Sequence, residues 1–210
     1  MHDFPANLRD SIQPMHDAIE QLPITKQIAA GIVSRTDYLE LLAQLHGLHQ
    51  VLEPLLASHS YNVYDAGTMA RTTALERDIT QLGGALSRSL TSETTLLTRL
   101  FQDWAEHSPW KLLGALYILE GSRMGSRFLV KMVARAMDVP IEPHQGLDYH
   151  LELSQERPKL WPVFKANLAA APLSDEQKED VTAAALETME RLCAVYGALL
   201  PDHASPVRMA

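Results

Sequence analysis

The sequence predicts an all-α protein, a single-domain multi-helix bundle of about seven or eight helices around one core. Three observations predict it. Apolar residues recur at spacings of three and four along most of the chain, which is the period of one helix face. Serines stand where helix starts need caps, at Ser34, Ser108 and Ser174. No window alternates apolar and polar residues for long enough to make a half-buried strand.

The elements follow in order. Leu8, Ile12, Met15, Ile19 and Leu22 form the stripe of a first helix, and Pro23 ends it. A short helix is expected around Thr25 to Val33. Ser34 and Asp37, an acidic variant of the capping box, open a helix that runs to about Leu56. Residues 60–67, SYNVYDAG, carry turn formers and read as a loop. A more polar helix covers 71–89, interrupted by Gly83 and Gly84, and another runs from about Ser92 to Glu106. Ser108 then caps one long helix, with Pro109 in its first turn, ending at Asp138 to Pro140. IEPHQGLDYHLE reads as loop. A helix with an internal proline covers 156–172, and Ser174 with Gln177 makes a capping box for the last helix, to about Leu200. The expected domain is 1–210, with its core at about 8–200 and a frayed tail over 201–210.

Composition excludes several functions. The 210 residues are 46% hydrophobic, enough for a sizeable core. The net charge of -8 argues against a general nucleic-acid binder, because phosphates need a basic surface. One cysteine, Cys193, builds neither an internal disulfide nor a thiolate metal site, and fits a reducing compartment. The start MHDFPANLRD lacks a basic, apolar signal, and no stretch reaches the roughly 18 apolar residues of a membrane span. A cytoplasmic protein is expected.

Two stretches carry chemistry. In LRDSIQPMHDAIEQL, His16 lies at the edge of the apolar stripe, four after Ile12. An imidazole there is either a core-edge histidine satisfied by a carbonyl and a water, or a metal ligand. A lone helical histidine does not make a zinc site, but it suffices for haem iron, where the porphyrin supplies four nitrogens. In LYILEGSRMGSRFLVKMVARAMDVP, Gly121 and Gly125 lie four apart inside a helix, each at about 1 kcal/mol relative to alanine. Ser122 and Ser126 extend the small strip, and Gly114 precedes it by two turns. Such a strip serves close helix packing or faces a large flat ligand.

Both stretches resemble the heme oxygenase family, of the biliverdin-producing bacterial type. LRDSIQPMHDAIE is similar to its proximal helix, with Leu8, Arg9 and His16 at matching positions, and LEGSRMGS to its distal helix, with Gly121 and Gly125 on two glycine positions. The resemblance implies a bundle that holds haem between those helices, as substrate and cofactor. It implies that His16 ligates the iron and that Gly121, Ser122 and Gly125 form the catalytic, oxygen-facing wall. Arg9 and, more loosely, Lys165 match basic positions that hold the propionates. The implied reaction consumes dioxygen and electrons from a reductase or ferredoxin, and yields biliverdin, carbon monoxide and ferrous iron. Lys131 and Arg135 are candidates for docking an acidic electron donor, and a bilin-accepting photoreceptor is a further implied partner. Gln13 stands where other members often carry lysine, Ser126 replaces a glycine, and Arg123 is a large charge in the lid.

Rival readings rest on other residues. His46, His49 and Glu53 at helical spacing suggest a di-metal oxidase, although no Glu-x-x-His on another helix completes the set. A thiaminase-like hydrolase needs a cysteine in the central helices, and Cys193 is in the last. A haem carrier or sensor needs only His16.

Overall fold

The computed structural model describes residues 4–59 and 61–200. Eleven α-helices are found among the described residues: α1 (Phe4–Glu20), α2 (Pro23–Ala30), α3 (Arg35–His59), α4 (Ala66–Met69), α5 (Thr72–Gln81), α6 (Ser92–His107), α7 (Leu112–Ser122), α8 (Ser126–Met137), α9 (Asp148–Leu151), α10 (Arg157–Ala170) and α11 (Asp175–Leu199). Short 3-10 turns cover Pro109–Lys111 and Arg123–Gly125. There is no strand among these residues, as the patterning predicts. The tail at 201–210 lies outside the described residues.

The capping signals act as read. Ser174 accepts from the Gln177 backbone N–H while the Gln177 side chain accepts from the Ser174 N–H, and α11 starts there. Ser34 Oγ accepts from the Asp37 N–H at 3.1 Å. Pro23 does more than end α1. It occupies the first turn of α2, where its missing N–H has no partner to lose. Gly31 closes α2 at φ 66°, a left-handed conformation that glycine adopts without strain.

Four expectations need correction. The helix expected over 71–89 ends at Gln81 and does not resume beyond the glycines, Gly83 taking a left-handed φ of 81°. The loops expected at 60–67 and 141–152 carry single helical turns, α4 and α9; the side chain of Asp65 caps α4 by accepting from the Gly67 N–H. Ser108 makes no side-chain cap, because the chain enters α7 through a 3-10 turn that satisfies its amides by shorter bonds. The long helix expected from Ser108 to Asp138 is broken at Arg123–Gly125 into α7 and α8.

α11 is the packing axis. It runs along α1, α7 and α6, while α3 packs on α5 and α6. One apolar cluster joins Leu8, Leu52, Phe101, Leu113 and Val181; another joins Ile24, Tyr38, Leu75, Val133 and Leu147. The closest approach is at Gly114, where a β-carbon would lie 2.5 Å from the Val181 carbonyl oxygen and 2.7 Å from the Ala185 nitrogen. α7 therefore touches α11 backbone to backbone.

Candidate functional site

One cavity of about 1370 Å³ lies between the two apolar clusters. Arg9, His16, Gly121, Ser122, Gly125 and Lys165, read from the sequence as site residues, all line it. So do Gln13, Arg123 and Ser126. Lys131 and Arg135 do not; they lie on α8.

α1 forms one wall. Leu8 and Ile12 face the core, which turns His16 to the border, its ring 46% exposed with Nδ1 3.6 Å from Glu20 Oε1. Gln13 donates to Asp17 at 2.7 Å, and the exposed Arg9 pairs with Asp10 at 2.9 Å. α10 contributes Trp161, which stacks on Phe164 and packs against Tyr117, and Lys165, whose Nζ lies 5.9 Å from the centre of the Trp161 ring. Burial pushes the Tyr117 hydroxyl up from its ordinary pKa.

The break between α7 and α8 also lines the cavity. Ser122 Oγ donates to the Leu119 carbonyl at 2.7 Å, where the helix ladder ends. The glycines divide the two roles that the small strip allows. Gly114 is the packing glycine. A β-carbon on Gly125 would meet only Leu129, at 3.8 Å, and one on Gly121 would meet the edge of Trp161 at 3.4 Å. Gly114→Ala is expected to lower stability by about 1–3 kcal/mol through backbone overpacking, whereas Gly125→Ala stays within about 1 kcal/mol of wild type. Chemical denaturation of the two variants measures the difference.

A buried ion network stands behind the break, and sequence reading missed it. Glu120 accepts from Arg123 at 2.9 Å and from Arg157. The Thr68 carbonyl accepts from Arg71 and Arg157, each at 2.6 Å, and from Arg123 at 3.4 Å. Arg123, read as a large charge in the lid, thus ties the 3-10 turn to α4 and to the Glu152 carbonyl. Burial lowers its pKa to about 10, against the opposing pull of Glu120. The available signal was the three-residue spacing of Glu120 and Arg123 inside an apolar run.

A sequence model of the family described as heme oxygenase matches residues 2–196. The chain belongs to the heme oxygenase family. Solved structures agree on the fold. The heme oxygenase from Leptospira interrogans is 18% identical with a TM-score of 0.85, covering 93% of this chain and 99% of that one. Heme oxygenase-1 of the cyanobacterium Synechocystis, in complex with heme, is 16% identical with a TM-score of 0.84, covering 94% and 92%. Heme oxygenase-2 of Synechocystis, in complex with heme and NO, is 22% identical with a TM-score of 0.85, covering 94% and 85%. A search of curated proteins gives no match.

In this member of the heme oxygenase family the cavity fits the flat group the family name implies. Gly125 presents no side chain where it lines the cavity, an imidazole lines it from α1, and the cationic side chains of Arg9 and Lys165 line it with those of Lys26 and Arg123. The rival constellations are engaged elsewhere. His46 pairs with Glu76 at 3.3 Å and His49 with Glu53 at 3.0 Å, and Glu53 also accepts from Arg71 and Thr72. No cluster of three or more metal-binding side chains occurs among the described residues. Cys193 Sγ faces the Met15 carbonyl at 3.7 Å, between α11 and α1. No helix among the described residues is long and apolar enough to cross a membrane.

Proposed function

We propose that the protein cleaves haem to biliverdin, releasing carbon monoxide and ferrous iron, with dioxygen and electrons from a reductase or ferredoxin. The observation that carries this reading is that one cavity is lined by His16 from α1 and by the glycine-lined break of α7 and α8. Haem, when bound, supplies the redox and oxygen-activating chemistry through its iron.

The chain's own residues do the rest. Glu20 Oε1 lies 3.6 Å from Nδ1 of His16, so Nε2 is the nitrogen that would hold the iron. Gly125 adds no side chain to the wall at the α7–α8 break. Ser122 has committed its proton to the Leu119 carbonyl, so its oxygen accepts, and it orients a water donor at that wall. Arg9 and Lys165 pair with the propionates. Lys131 and Arg135 on α8 offer a basic face to an acidic electron donor. The setting is cytoplasmic, and a bilin-accepting photoreceptor is one consumer of the product.

The test is to form a 1:1 hemin complex, supply ascorbate or a reductase with catalase present, and follow the visible spectrum. The Soret band should fall, a green verdin should form, and a ferrous chelator should capture iron. A Soret band that persists under reductant and oxygen overturns the enzyme reading in favour of a haem carrier or sensor.

A further inference from the structure

Part of the cavity has a chemistry that haem does not need. Five polar side-chain atoms that belong to residues lining it find no hydrogen-bond partner among the described residues: Arg123 Nε, whose guanidinium is otherwise held by Glu120, and four on uncharged side chains, Thr25 Oγ1, Tyr38 Oη, Ser126 Oγ and His150 Nδ1. Tyr38, Ser126 and His150 are 0%, 3% and 8% exposed. Buried polar groups are almost always paired, so four in one cavity mark a place built for a polar ligand. They come from α2, α3, α8 and α9, of which α2 and α9 both pack on α8, whereas Arg9 and His16 are on α1 and Lys165 on α10. The Tyr38 and His150 rings stack, with centroids 6.4 Å apart.

These four are uncharged, and the buried cation beside His150, Arg123, already has Glu120 at 2.9 Å as its counter-charge. Burial pushes His150 down to about 4 and Tyr38 well above its ordinary value, so both are neutral near pH 7. A carboxylate is a poor ligand for such a set, because burying a charge without a counter-charge is expensive. The only polar groups on the haem periphery are its two propionates, and its ring nitrogens are held by iron. Ring opening changes this. Each cut end gains a carbonyl beside a pyrrole N–H, a lactam edge that accepts and donates without charge. Hydroxyls and a neutral imidazole match that edge. Room exists as well, since 1370 Å³ exceeds the roughly 300–1,000 Å³ of a pocket for one small ligand.

We propose that Thr25, Tyr38, Ser126 and His150 form a product subsite that hydrogen-bonds a lactam end of the opened tetrapyrrole. The proposal rests on the haem-cleaving reading above. The set retains product after the ring has opened and leaves the binding of closed haem to the other walls.

The test titrates biliverdin and, separately, hemin into the apoprotein, following visible absorbance. Wild type is compared with Tyr38→Phe, Ser126→Ala and His150→Phe. Biliverdin affinity is expected to fall by about 3- to 10-fold in each variant, one hydrogen bond apiece, with hemin affinity within about twofold of wild type. Ser126→Ala removes one oxygen and keeps the test open if a ring substitution fails to fold. Unchanged biliverdin affinity in a folded variant overturns the subsite and leaves it a water pocket only. A matching loss of hemin affinity overturns it too. If wild type turns hemin over while biliverdin affinity does not respond, the subsite alone fails. If wild type does not turn hemin over, both fail.

Discussion

Replacing Glu120 by alanine should remove about 3–5 kcal/mol of stability, the cost of breaking a buried ion pair from one side. Glu120 is buried at the end of α7 and holds Arg123 and Arg157, which are buried as well. Without the carboxylate, two guanidiniums are left in an apolar setting with carbonyls as their only acceptors. A domain of this size loses roughly 2–4 °C of melting temperature per kcal/mol, so a fall of about 6–20 °C is expected. Thermal unfolding of the apoprotein by circular dichroism measures it. Glu120→Gln keeps the volume and one acceptor and should fall between. A Glu120→Ala melt within about 2 °C of wild type would show that the network does not hold this end of the bundle together.

Replacing His16 by alanine should abolish turnover, by on the order of 100-fold or more, and alter the absorbance of the hemin complex. The fold should be spared. The ring is 46% exposed and Glu20, at 3.6 Å, is its one ion-pair partner among the described residues, so the change in stability should stay within about 0.5 kcal/mol. Added imidazole should restore part of the wild-type spectrum by filling the space the side chain leaves. A His16→Ala complex with wild-type absorbance and full turnover would remove His16 from the role of ligand.

Much of the fold was legible because its signals are local. The stripe from Leu8 to Ile19, the proline at 23 and the Ser174–Gln177 box each act within a few residues. The break at Arg123–Gly125 was only half legible. The glycines announce a weak helix, but what fixes the turn is Arg123, and its partners Thr68 and Glu152 are 55 and 29 residues away. Arg71 and Arg157 look in sequence like ordinary solvated charges, and both are buried. α4 and α9 escaped because a single helical turn has no period to detect. In the site, the six residues taken from the family resemblance line one cavity, while Trp161 and Tyr117, which wall it, carry no pattern that separates them from core aromatics.

The carbonyl of Thr68 bears on the order in which the chain folds. Its three guanidinium donors lie 3, 55 and 89 residues along the chain. The cost of closing such loops must be met before the last donor arrives. Until then the arginines stay in water, where they lose nothing by being unpaired. Desolvation and pairing therefore come together, late, once the α10 segment has been made and has docked. A chain that stops short of residue 157 has no means of finishing the wall behind the α7–α8 break, however good its local helices are.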